Sequence, residues 1–184
     1  MKPLRPQIAQ LQSSKIRDVA NAGMGRDDVL AFWFGESDQV TPDLVRQAAI
    51  HSLQQGETFY AHNLGLPELR EAIAHYTRTL HPHQASLTHQ RISVTSGGVS
   101  ALMLAMQAIL GAGDECLVVT PIWPNLIAQP QILGADVHTF SLQPVNGLWQ
   151  LDVQALLRRI TPRTRLLVVN SPNNPSGWTL TRDE

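Results

Sequence analysis

The stretch Thr95-Ser96-Gly97-Gly98 sits between two apolar runs, and its residue types suit the binding of an anion. Backbone N–H groups at a helix N-terminus are free to donate, and glycines let a ligand come close to them. Ser96 adds a hydroxyl to the same cup. An ordinary glycine turn from strand to helix would have the same composition. The stretch is neither a Walker loop nor G-x-G-x-x-G, and the nearby "GAGDE" (111–115) suits a helix end and turn. Nor is it G-x-S-x-G, so Ser96 is a poor candidate nucleophile.

Two further stretches follow later strands. In "TPIWPN" (120–125), Trp123 stands close to two prolines and presents an indole face that could stack on a flat ring or pack in the core. In "NSPNNPSG" (170–177), Pro172 and Pro175 restrict the backbone around Asn170 and Asn174. A fixed amide can bond a phenolic or carboxylate oxygen without altering charge, although Asn, Pro and Gly also simply make turns. Residue types alone leave either asparagine, Asn170 or Asn174, open to that role, with the other helping to shape the turn. Earlier, Tyr60 stands five residues before Gly65, ahead of a strongly formed helix. His81, His83 and His89 lie in a proline-containing connector without adjacent carboxylates, a poor metal site.

The elements that position these residues follow from patterning. "VLAFWFGESD" (29–38) predicts a short buried segment opening into a loop. Thr41 as N-cap, Pro42, Asp43 and Gly56 bracket a helix. From about Leu66, Leu69, Ala72, Ile73, Tyr76 and Leu80 recur at helical spacing. "RISVTSGG" predicts a strand entering the glycine turn, and "VSALMLAMQAIL" a helix buried nearly all round. Then come strand "ECLVVT", helix "NLIAQPQILG", strand "DVHTF", a turn at Asn146-Gly147, helix "DVQALLRRI" and strand "RLLVVN". Alternating short apolar strands and helices make an α/β fold, a mostly parallel sheet with helices on both faces.

The 184 residues suffice for one sizeable core, with 43% hydrophobic and 16% charged residues. A formal net charge of -1 leaves no basic footprint, so nucleic acid is not an expected partner. The single cysteine, Cys116, lies in an apolar run, which excludes an internal disulfide framework and fits a reducing compartment. With no apolar leader and no membrane span, the sequence points to a soluble cytoplasmic protein. Thr181 and Glu184 form the Thr-x-x-Glu pattern of a capping box, which signals a helix beginning. A chain that stops there is expected to be a piece of a longer protein, to expose a sheet edge and an apolar face, and to be poorly soluble alone.

In order, "GESD…TP", "FYAHNLGLPELREAIAHY", "VTSGGVSALMLAMQAI", "TPIWPN" and "NSPNNPSG" resemble the class I/II aminotransferases, pyridoxal-phosphate enzymes of the aspartate aminotransferase fold. The resemblance covers roughly residues 29–184, and its motifs are specific in combination. It implies an incomplete fold type I large domain over 46–184, with residues 1–45 an arm and part of a small domain. It implies pyridoxal 5'-phosphate as cofactor, an amino acid and a 2-oxo acid as substrates, and a homodimer with a composite site.

By the same resemblance, Ser96, Gly97 and Gly98 match the turn that cups the cofactor phosphate. Trp123 matches the aromatic stacked on the pyridine ring and bordering the substrate. Asn174 matches the asparagine bonded to the phenolic oxygen and is also substrate-binding, Tyr60 a tyrosine reaching the partner subunit's cofactor phosphate, and Gly35 a glycine whose backbone contacts the substrate carboxylate. The Schiff-base lysine of such enzymes has no match, because Lys2 and Lys15 both precede every motif. It is expected beyond Glu184, with the aspartate for the pyridine nitrogen and the arginine for the substrate carboxylate. The chain alone is therefore expected to be inactive, with no catalytic residue of its own. The same fold supports carbon–sulfur lyases and decarboxylases, and a non-catalytic PLP-sensing regulatory domain is a further alternative. A nucleotide-binding domain using "TSGG" would leave Trp123, Asn174 and Tyr60 unexplained.

Overall fold

A computed structural model describes residues 3–184; Lys2 lies outside the described residues. The chain runs through α1 (Pro6–Ala9), α2 (Lys15–Gly23), α3 (Asp43–Gln54), α4 (Pro67–Leu80) and α5 (Gly98–Ile109). There follow β1 (Glu115–Thr120), α6 (Asn125–Leu133), β2 (Asp136–Ser141), the pair β3 (Gln143–Val145) and β4 (Leu148–Gln150), α7 (Val153–Leu157) and β5 (Thr164–Val168). Two compact units emerge: one takes the N-terminal segment through Asp18 together with Gly98–Glu184, the other Val19–Gly97.

The first unit is built on a parallel sheet in the order β2-β1-β5. Cys116 pairs with Val137 on one side and Leu166 on the other, which makes β1 the central strand. Its alternating side chains feed two cores. Cys116 and Val118 pack with Met106, Leu110 and Leu126, under α5 and α6. Leu117 and Val119 pack with Leu142, Leu151, Leu156 and Trp178, under α7. Helices thus cover both faces, as expected for a strand apolar throughout. Burial pushes the Cys116 thiol up to about 11, so it is inert core.

At the opening end of β1, the buried Glu115 carboxylate accepts from the Thr161 and Thr164 hydroxyls and pairs with Arg163, tying the lead-in of β5 to the central strand. The Thr161 hydroxyl and then Arg163 hold this carboxyl below its ordinary range against the opposing effect of burial. The β3–β4 turn is formed by Asn146 (φ 51°) and Gly147 (φ 79°), the two left-handed residues a tight hairpin asks for. At the end of the described chain Thr181 and Glu184 make the capping-box bonds, with Thr181 N–H to Oε2 at 2.8 Å and Glu184 N–H to the Thr181 hydroxyl at 3.3 Å.

In the second unit, Arg70 of α4 is buried and its guanidinium donates to the carbonyls of His89 and Ile92 at 2.8 and 2.9 Å. This holds the segment after the histidine connector against the helix. Gly65 (φ 100°) comes so close to Val94 that a Cβ would lie 2.6 Å from it, and the Val94 N–H donates to the Leu64 carbonyl.

Four expectations need correcting. Residues 92–95 form no strand: their backbone is irregular and the Val94 N–H donates to the loop carbonyl of Leu64. Helix α5 is not buried all round; Met106 is buried, while Val99, Leu102, Leu104 and Ile109 are exposed. The 29–38 segment is not buried as a run, with Leu30 and Phe32 largely in solvent. Thr41 does not cap α3; Pro42 occupies the cap and no side chain bonds there.

Candidate functional site

In the parallel sheet the chain leaves β1 for β2 through α6 on one face, then returns through α7 on the other face to β5 on the far side of β1. The direction of progress reverses between β1 and β5. Such a switch point leaves a crevice at the carboxyl ends of the strands, where open α/β sheets bind ligands. Two of the singled-out stretches flank it. Trp123 follows the end of β1 and packs, half-buried, against the α5–α6 core; the 170–177 turn follows β5.

These two tips are joined. The buried Asn173 donates through Nδ2 to the Pro121 carbonyl at 2.8 Å and to the Ser176 hydroxyl at 2.6 Å. Its own N–H donates to the Trp178 carbonyl at 2.7 Å, and Trp178 is sunk in the core under α7. The Asn170 side chain accepts from the Asn174 N–H at 2.9 Å, a bond that closes the turn. Asn174 itself is exposed, and among the described residues nothing takes its amide. One asparagine of the adjacent pair therefore builds the turn and the other is presented by it. Sequence reasoning missed Asn173, because two consecutive asparagines look alike until burial separates them; Trp178 and Asn173 together are its anchors.

The third tip is the beginning of α5. Gly98 opens the helix, and the first four N–H groups of an α-helix have no partner within it. A Cβ added at Gly98 would meet nothing within 4 Å, so the approach is clear. Before it, Gly97 (φ 95°) donates its N–H to the Thr95 carbonyl at 2.7 Å, and the Thr95 hydroxyl bonds the Gly97 carbonyl at 3.0 Å. This tight turn leaves Ser96 exposed. The N–H groups at the start of α5 and an unobstructed approach match the requirements of a phosphate group. Helix α6, which begins two residues after Trp123, is fastened to the same first turn: Gln129 Nε2 donates to the Val99 carbonyl at 2.8 Å.

Within the second unit Tyr60 is fully exposed and Gly35 has open space around it. Lys15 lies on α2, 3.6 Å from Asp18. His89 Nδ1 stands 3.2 Å from Glu71, and among the described residues no group of three His, Cys, Asp or Glu could hold a metal ion. No helix among the described residues is long and apolar enough to cross a membrane.

Comparison with known proteins agrees with this topology. The family described as aminotransferase class I and II matches residues 28–184. An aspartate/prephenate aminotransferase from Thermus thermophilus is 38% identical over 177 residues, which is 96% of this chain and 44% of that protein. An aspartate aminotransferase from Pyrococcus horikoshii is 30% identical over 176 residues, again 44% of its length. Among solved structures, Thermus thermophilus aspartate aminotransferase with maleate superposes with a TM-score of 0.85 at 36% identity, covering all of this chain and 48% of that one. The aspartate aminotransferase of Rhizobium meliloti gives 0.84 at 31% identity, covering 98% of this chain and 46% of that one. The chain thus spans less than half the length of the relatives it matches. On the family match and the doubly covered parallel sheet together, the chain belongs to the class I and II aminotransferases.

Proposed function

We propose that this chain supplies the cofactor-holding part of a pyridoxal-phosphate-dependent aminotransferase, which moves an amino group between an amino acid and a 2-oxo acid. The observation that carries the proposal is the joined pair of strand-end tips at the switch point, Trp123 beside β1 and Asn174 beside β5, tied by the Asn173–Pro121 bond. Members of this family depend on pyridoxal phosphate, and the residues present fit it. When bound, that cofactor supplies an electron sink for the substrate's α-carbon.

This chain's own residues bind and orient. The N–H groups of Gly98 and the residues after it, with the Ser96 hydroxyl, hold the phosphate dianion, and Gly97, without a side chain, leaves room for it. The Trp123 indole stacks on the ring and walls the substrate. The free Asn174 amide donates to the phenolic oxygen, favouring its ionised form. The Gly35 backbone receives the substrate carboxylate. Tyr60, fully exposed on its own unit, extends to the phosphate held by a second copy, and the working protein is a homodimer in the cytoplasm. The lysine that retains the cofactor comes from the part of the relatives' length this chain does not span. Because relatives are named for aspartate, dicarboxylic amino acids are the first substrates to test.

The test uses full-length protein. Cofactor binding is read from absorbance of the bound pyridoxal ring, and activity from transfer of the aspartate amino group to 2-oxoglutarate. Asn174→Ala is expected to shift the absorbance and its pH dependence, and to cut kcat/KM by about 10- to 100-fold, the loss of one bond to a charged oxygen. A wild type without bound cofactor, or an Asn174→Ala spectrum identical to it, defeats the proposal.

A further inference from the structure

Gln129 lies on α6, 4% exposed, and its two amide atoms are in opposite situations. Nε2 donates to the Val99 carbonyl at 2.8 Å, whereas among the described residues the buried Oε1 has no hydrogen-bond partner. A half-satisfied buried amide is costlier than an apolar side chain of the same volume. The bond it does make must carry its purpose. Val99 is the second residue of α5, and its carbonyl belongs to the first turn, whose N–H groups have no partner within the helix. A carbonyl has two lone pairs, so this bond adds to the helix's own and fixes how the first turn is rotated relative to α6. Anion donors work only when aimed within a few tenths of an ångström.

We propose that Gln129 is a positioning residue for the phosphate cradle: it locks the first turn of α5 so that its N–H groups converge on the cofactor phosphate. The inference rests on the proposed function. It concerns the phosphate alone, since Gln129 bonds nothing in the Trp123 or Asn174 tips. Loss of the bond therefore weakens ligands that carry a phosphate and spares those that do not. Because an apolar replacement also removes the orphaned Oε1, it does not lower stability.

The experiment compares full-length wild type with Gln129→Met, which keeps the volume, and Gln129→Leu as a second variant. Each is titrated with pyridoxal 5'-phosphate, with phosphate-free pyridoxal and with inorganic phosphate as competitor, and its thermal midpoint is recorded. The expected result is a Kd for pyridoxal phosphate raised about fivefold, the equivalent of one net hydrogen bond. The Kd for pyridoxal and the midpoint stay unchanged, and amide exchange in the first turn of α5 quickens. Equal weakening of both ligands, or of neither, overturns the inference, as does failure of both variants to fold. A wild type that binds no pyridoxal phosphate sinks the proposed function as well; a wild type that binds it as tightly as the variants sinks this inference alone.

Discussion

Replacing Asn173 by alanine removes a single amide, and its consequence can be worked from the structure. The side chain is 7% exposed and donates two hydrogen bonds, to the Pro121 carbonyl and the Ser176 hydroxyl. Ser176 keeps a second partner in the Trp178 N–H, so it is not stranded. The Pro121 carbonyl loses its side-chain donor. Two net bonds at about 1 kcal/mol each, with about 1–2 kcal/mol for a carbonyl left dry, amount to roughly 3–4 kcal/mol. Asn174→Ala is the matched control, because that side chain is exposed and unbonded; a surface change of this kind costs under about 0.5 kcal/mol. Urea unfolding of cofactor-free full-length protein, followed by tryptophan fluorescence, reads both without any contribution from cofactor binding. A difference between the two variants of less than about 1 kcal/mol would refute the claim that Asn173 stitches the tips together.

Three further outcomes are expected. Gly65→Ala must hold a side chain at φ 100° and press a Cβ to within 2.6 Å of Val94, so it should destabilise by about 2–4 kcal/mol in thermal unfolding, partly relieved by Val94→Ala. Cys116, buried and with its thiol pushed up to about 11, should react with a thiol reagent at neutral pH at under about 1% of its rate in denaturant. Glu115 titrates lower folded than unfolded, so its stabilisation is present above the ordinary glutamate range and fades as pH falls through the depressed folded value. Unfolding measured from neutral to acid pH should accordingly lose slope in Glu115→Gln, and an unchanged slope would contradict the Glu115 cluster.

What the sequence made legible was local. Strand β1, helix α6, strand β2, the Asn146-Gly147 turn and strand β5 lie where residue pattern and turn chemistry placed them, because each is decided by near neighbours in the chain. The errors share a cause. Helix α5 is apolar enough to be buried all round, yet burial depends on what packs against it, and here that is β1 and α6 on one side. "RISVTSGG" has strand-like composition, but a strand needs an adjacent strand to bond, and its Val94 N–H finds a loop carbonyl. In the candidate site, residue types singled out three stretches; only three-dimensional packing could show Asn173 as builder, Asn174 as presented group, and Gln129 behind the first turn of α5.

The Asn173–Pro121 bond also bears on protein engineering. Loops on α/β scaffolds are commonly exchanged one at a time to alter selectivity, on the assumption that each is an independent module. Here the segment bearing Trp123 receives a donor from a residue some fifty positions downstream, whose turn is in turn anchored by Trp178. A graft that moves residues 120–125 into a new host without 170–178 would arrive with its Pro121 carbonyl unmet and its indole poorly aimed. The two segments are a single transplantable cassette.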